Sequence, residues 1–171
     1  MPSLKGRLLV ATPALGDPNF ERTVVLLLEH NEEGAAGVVL NRPTDMELVG
    51  HLPDWEDRAA LPGVVFVGGP VQPTGVICLA LSGDAIETVD PTQPPEDVGA
   101  VVDRIRVFAG YAGWGPGQVE AEIMEGAWFV VDGLPDDAMS DHPDDLWRAV
   151  LRRQPGRIRL FANYPDDIRA N

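Results

Sequence analysis

Short apolar runs, each closed by glycine, proline or acidic residues, recur along the chain, and none exceeds about six residues. Leu8–Ala11, Val64–Val67 and Val76–Leu81 read as strands between turn signals. Thr23–Glu29 (TVVLLLE) opens on β-branched residues and is apolar on both faces, which predicts a strand buried on both sides. Ala35–Asn41 predicts a second such strand, and the polar turn His30–Gly34 predicts that the two form an antiparallel hairpin. Pro43 stops the second strand by removing a backbone donor. Ala127–Val131 is another buried strand. Arg104–Gly110 alternates, Ile105 and Val107 facing one way and Arg104 and Arg106 the other, which predicts a half-buried strand.

Helical periodicity is rarer. In Pro116–Glu125, Pro116 suits the first helical position and Val119 and Ile123 form an i,i+4 apolar pair, while Glu120, Glu122 and Glu125 point mostly outward. Asp144–Arg153 is the clearest helix. Ser140 or Asp141 can cap it, Asp144 and Asp145 sit at its positive end, and Arg148, Arg152 and Arg153 sit at its negative end. Met46–Leu52 predicts a short third helix ended by Pro53. Thr12–Asn19, Gln72–Gly75 and the acidic stretch 132–143 read as loops or turns. Asp90–Asp97 holds three prolines and must be extended or loop. It is linker-like, but neither flank closes a pattern of its own. The octapeptides Arg104–Tyr111 (RIRVFAGY) and Arg157–Tyr164 (RIRLFANY) agree at six of eight positions. Both are expected to be strands ending in the same kind of turn.

These elements describe one α+β domain spanning residues 1–171, long enough to bury about 70% of the surface its unfolded chain exposes. Charge narrows the partners. Thirteen basic against 27 acidic residues leave a net charge of −14, which repels nucleic acid and anionic membrane. The partners that remain are a protein or a small molecule. A single cysteine, Cys78, lies in an apolar run, which predicts an inert buried thiol in a reducing, cytoplasmic compartment. The apolar runs are far shorter than the ~20 residues a membrane span needs, and the N-terminus lacks a signal-peptide hydrophobic region.

The chain carries no Walker loop, HExxH, GxSxG or dinucleotide GxGxxG. Its histidines, His30, His51 and His142, are not spaced as a metal motif, so neither metal nor cofactor is expected. The stretch Gly110–Glu122 (GYAGWGPGQVEAE) is the most demanding of backbone geometry. It runs from strand to helix like a phosphate loop, but Pro116 deletes a donor, no Lys or Ser/Thr follows, and Glu120 and Glu122 oppose an anion. A corner that makes room for Tyr111 and Trp114 is the better reading. Polar groups at strand ends define a candidate ligand pocket of Glu29, His30, Asn31, Asn41 and Arg42, with Tyr111, Trp114 and Gln118 from the glycine-aromatic stretch. Adjacent strand residues point to opposite faces, so Glu29 and His30 are not expected to share one recess.

In combination, Leu15–Phe20 (LGDPNF), the EHN and LNRP segments within Glu21–Pro43, Val67–Val71 (VGGPV), Gly110–Glu122 and Ala127-Trp128 resemble the YqgE/AlgH family of bacterial proteins. The resemblance spans most of the chain. It implies a single domain built on a bent, barrel-like, mainly antiparallel mixed sheet with a few flanking helices. The family is largely uncharacterised, and some members carry a transcriptional-regulator label tied to polysaccharide production. Many relatives have cysteine where this chain has Leu28, and histidine in the strand after GGP, where Val76–Leu81 has none. A mechanism resting on that thiol or imidazole cannot operate here. The resulting expectation is a non-enzymatic cytosolic binding or regulatory protein that does not contact DNA directly. The alternatives are an enzyme acting on a small polar substrate at a strand-end pocket, and a transcription-linked regulator working through a protein partner.

Overall fold

A computed structural model describes residues 2–98 and 101–165. Nine strands make one bent mixed sheet: β1 (Leu8–Ala11), β2 (Val24–Asn31), β3 (Gly34–Val39), β4 (Pro43–Glu47), β5 (Val64–Val67), β6 (Val71–Ser82), β7 (Ala85–Val89), β8 (Arg104–Trp114) and β9 (Trp128–Val131). The path across it runs β4-β5-β8-β3-β2-β1-β9, with the β6–β7 hairpin attached to β8 through β6. The sheet bends but does not close into a barrel. Two α-helices, α1 (Gln118–Met124) and α2 (Leu146–Arg152), and several short 3-10 turns cover it.

The continuous apolar runs arise because the sheet is covered on both faces. Leu8, Val10, Val24, Val38 and Leu40 pack into a core under α2 and Met139. Leu9, Val25, Leu27 and Val39, the alternate positions of the same strands, pack with Trp114, Val119 and Trp128 on the α1 side. A third cluster joins Trp55 and Val102 to Cys78, Ile105 and Val107. Trp147 pins α2 by donating its indole N–H to the carbonyl of Ala11 at 2.8 Å.

The bend lies in β8. Its residues 104–109 pair with Val76–Leu81 of β6, and Phe108 and Ala109 also pair in parallel with Phe66 and Val67 of β5. Its last three residues, Ala112–Trp114, pair with Ala35–Gly37 of β3. Between these segments Gly110 takes φ +74°, in the left-handed region that favours glycine. Backbone meets backbone here. A Cβ on Gly110 would overlap the carbonyl of Gly69, and one on Gly69 would overlap the backbone of Tyr111. The GGP and GYAGWG segments are therefore two halves of one contact.

Several expectations change. Met46–Leu52 is not a helix. Pro43 starts β4 instead of merely ending the strand before it, because Thr44 donates to the Val65 carbonyl at 2.6 Å and draws the segment onto β5. The turn expected at Gln72–Gly75 is absorbed into the long β6 as an irregularity in its pairing with β8. The hairpin β6–β7 adds a strand, Ala85–Val89, that the hydrophobic pattern does not reveal. The first helix starts at Gln118, after Gly117, so Pro116 lies outside it. Neither Ser140 nor Asp141 caps α2, which a 3-10 turn at Pro143–Asp145 leads into. Within the acidic stretch, Asp137 is buried on a 3-10 turn and receives both Arg153 nitrogens, at 2.7 and 2.8 Å.

The two octapeptides diverge. Arg104–Tyr111 is strand, but Ile158–Asn163 is a 3-10 helix against α2. Arg148 holds it by donating to the carbonyls of Ala162 (2.6 Å) and Tyr164 (2.8 Å). Phe161 adds a ring contact with Phe129, centroids 5.2 Å apart. Arg106, expected on a solvent face, is buried. It donates to the carbonyls of Ala138, Ser140 and Leu61 and lies 4.2 Å from the Phe66 ring centroid. Burial first, then the neighbouring Arg104, pushes its pKa down to about 10.

Replacing Gly110 by valine combines backbone strain with steric overlap, and it should cost about 2–5 kcal/mol in urea unfolding. Gly126 also has positive φ (+83°) but faces open space, so Gly126→Ala should cost only about 1 kcal/mol. Equal losses at the two positions would contradict the close-contact role of Gly110.

Candidate functional site

The tip of the β2–β3 hairpin and the start of α1 meet beside the N-terminal segment. Their meeting depends on a β-bulge. Leu27 pairs with Gly37 and Glu29 with Ala36, so Leu28 is the extra residue. The bulge resets the alternation of β2. Glu29 is thereby turned to solvent, 3.6 Å from Lys5, and His30 is turned inward opposite Ala35.

His30 is 8% exposed and both ring nitrogens are engaged. Nδ1 accepts the backbone N–H of Leu4 at 2.8 Å. That bond assigns the remaining proton to Nε2, which donates to the carboxylate of Glu120. Ser3 adds a hydroxyl bond to the His30 carbonyl at 3.1 Å. The imidazole thus braces the N-terminal segment, β2 and α1 together. Glu120 responds to the bond. The His30 hydrogen bond is the largest influence on it and holds its carboxyl below the usual carboxylate range. An open recess of about 850 Å3 lies outside the pair, lined by Ser3, His30, Asn31, Glu32, Glu33 and Glu120.

Two residues further along α1, Glu122 collects three donors. The indole N–H groups of Trp114 (3.1 Å) and Trp128 (3.0 Å) reach its Oε1, and the Gln118 amide (2.9 Å) reaches Oε2. Gln118 closes the motif by accepting the N–H of Gly115 at 2.9 Å. Phe20 packs on both indoles, with centroids 6.0 and 5.7 Å away.

The eight residues singled out from the sequence therefore separate. His30 and Asn31 share the recess, while Trp114 and Gln118 lie next to it in the Glu122 network. Glu29 points away from it. Tyr111 packs on the opposite face of β8 from Trp114. Asn41 and Arg42 stand at the far end of the hairpin. Asn41 accepts from Val24 N–H at 3.0 Å and donates to the Arg22 carbonyl at 2.9 Å. Val24 is six residues from His30 along β2, about 20 Å of strand. Arg42 donates to the carbonyls of Asn19 (2.7 Å) and Glu21 (3.1 Å). A single pocket holding all eight is thus corrected to two ends of one hairpin plus a residue on the other face. Glu120 and Glu122, expected to face outward, are the acceptors around which the His30 end is organised. Their i,i+2 spacing carries no sign of this.

A second, apolar cavity of about 300 Å3 lies on the opposite face of β2, between Leu26, Leu28 and the 133–138 segment. Its leucines read in the sequence as ordinary core. Among the described residues, no group of three or more His, Cys, Asp or Glu side chains is placed to hold a metal ion.

A bent, open mixed sheet with few helices, its corner built from GGP and GYAGWG, defines the class of α+β domain. The chain belongs to the AlgH-like family, whose profile matches residues 8–159. A UPF0301 protein of Streptomyces coelicolor is 54% identical over 99% of this chain and 96% of its own length. Another, from Mycobacteroides abscessus, is 41% identical over 97% of this chain and 87% of its own. A crystal structure of a Corynebacterium diphtheriae protein superposes with a TM-score of 0.86 at 31% identity, covering 96% of this chain and 93% of that one. The solution structure of AlgH from Pseudomonas aeruginosa gives 0.68 at 30% identity, covering 96% of each chain.

Two variants report on the site. Glu122→Leu strands three donors and should cost about 2 kcal/mol or more in urea unfolding, with a shift in tryptophan fluorescence. An unchanged midpoint and emission would dissolve the network. For Glu120, the folded pKa lies below the unfolded value of about 4.3. Its contribution is therefore complete above that value and is lost as pH falls through the folded pKa. Glu120→Gln should lag the parent in stability at pH 7, with the gap narrowing below about pH 4. A gap that stays constant with pH would exclude the ionised bond to His30.

Proposed function

We propose that this chain is a non-enzymatic binding protein, regulatory in role, whose partner is a small molecule or another protein. The observation that carries this reading is the use made of the polar groups at the strand ends. An acid–base catalyst needs a lone pair or proton available to substrate. His30 has its Nδ1 lone pair on Leu4 and its Nε2 proton on Glu120. Asn41 and Arg42 are spent on backbone groups, and Glu122 on two indoles and an amide. Burial pushes the Cys78 thiol up to about 12, which removes it as a nucleophile.

The net charge of −14 favours a neutral or cationic partner over nucleic acid or an anionic lipid surface. A reduced, lone and buried thiol fits a cytoplasmic setting. Among the described residues no helix is long and apolar enough to cross a membrane.

Incubating the protein with a metabolite mixture tests this reading. A ligand at 100 times its dissociation constant should add about 2.7 kcal/mol of stability and be recovered unaltered after release. Conversion of any compound that disappears in His30→Gln would overturn the non-enzymatic reading.

A further inference from the structure

A cavity lies beneath β2, on the face away from the His30 recess. Well-packed cores leave few voids larger than a water molecule, and this one measures about 300 Å3. Most of its lining is apolar, with Leu8, Leu26, Leu28, Leu40, Ile86 and Leu134 among the side chains. Leu8 and Leu40 are fully buried, yet Leu26 and Leu28 are only partly buried in a strand flanked on both sides. The bulge at Leu28 opens this spot, and neither the β6–β7 hairpin nor the 133–138 segment fills it. A half-open recess with a mainly apolar lining of this kind takes amphiphilic guests.

The polar groups lining it set the head group. Lys5 is offset by Glu29 at 3.6 Å. Asp137 is neutralised by the two nitrogens of Arg153. Asp84, exposed in the β6–β7 turn, makes no ion pair among the described residues. One carboxylate is thus left uncompensated, on a chain of net charge −14.

We propose that this cavity is a binding site for a small amphiphilic amine, its alkyl body among the leucines and its ammonium at Asp84. The proposal rests on the binding reading above and gives it a location and a ligand class. At about 30 Å3 per heavy atom, the share of a liquid water, the cavity holds about ten heavy atoms. n-Octylammonium, n-octanol and n-octanoate are matched probes of that size.

Titration of each into the full chain, followed by methyl NMR, tests the site. Octylammonium and octanol should both shift the methyl resonances of Leu26, Leu28 and Ile86. The amine should bind about fivefold more tightly than the alcohol, and the acid most weakly. Asp84→Asn, an exposed turn substitution, should erase the difference between amine and alcohol while leaving octanol binding intact. Octanoate binding as tightly as the amine, or a preference that survives Asp84→Asn, would overturn the head-group assignment. Absence of methyl shifts with all three probes would overturn the site itself. A ligand then still recovered from the metabolite mixture would leave the broader binding reading standing.

Discussion

At Gly69 and Gly110 two backbones touch with no side chain between them, and the rest of the sheet is arranged around that contact. Strand β8 passes from its pairing with β5 and β6 to its pairing with β3 through a residue at φ +74°. Side chains on either backbone would force the strands apart. Strand β5 ends there, and its Gly68 carbonyl takes the N–H of Val39 from β3 at 2.8 Å. One small volume thus couples the two parts of the sheet, β5 and β6 on one side and β3 on the other.

The helix after the corner turns that geometry into an electrostatic arrangement. Its Glu120 and Glu122 face inward toward a histidine and two indoles, each with a proton to donate. Buried or half-buried polar groups are tolerable when their bonds are complete, and each bond also fixes an orientation. The result is a rigid hairpin tip whose polar groups are largely committed to one another. Packing is incomplete instead on the opposite face of β2, where the bulge at Leu28 leaves space.

Much of this was legible in the chain. The strands at Leu8–Ala11 and Val64–Val67 have the bounds their apolar runs imply, and α2 lies within the segment whose leucines and tryptophan mark its stripe. The glycine-dependent corner in Gly110–Glu122 also came from residue types alone, but the strand expected to end at Gly110 bends there and runs on to Trp114. The candidate site was less legible. Residues adjacent to a bulge change face without a change in composition, so nothing in EHN shows that His30 turns inward. Glu120 and Glu122 carry the same charge as the solvent-facing Glu125. Arg106 looks like Arg104, yet one is buried over Phe66 and the other pairs with Asp136 at 2.8 Å.

The sequence by itself determined the two-faced sheet, the need for glycine at the β8 corner and the net charge of −14. Each follows from short-range chemistry: side-chain periodicity, absence of a Cβ, and summed charge. Only the tertiary structure decided that RIRVFAGY becomes strand while RIRLFANY becomes a 3-10 turn, because one segment pairs within the sheet and the other is held by Arg148 against α2. It also decided the fate of the corner stretch itself. Gly110–Trp114 supplies the bend and one indole, Gln118 and Glu122 secure that indole, and Glu120 fixes His30. Trp114, Gln118 and Glu122 are near neighbours in the chain, whereas His30 lies 90 residues from Glu120, and only the sheet brings that pair within bonding distance.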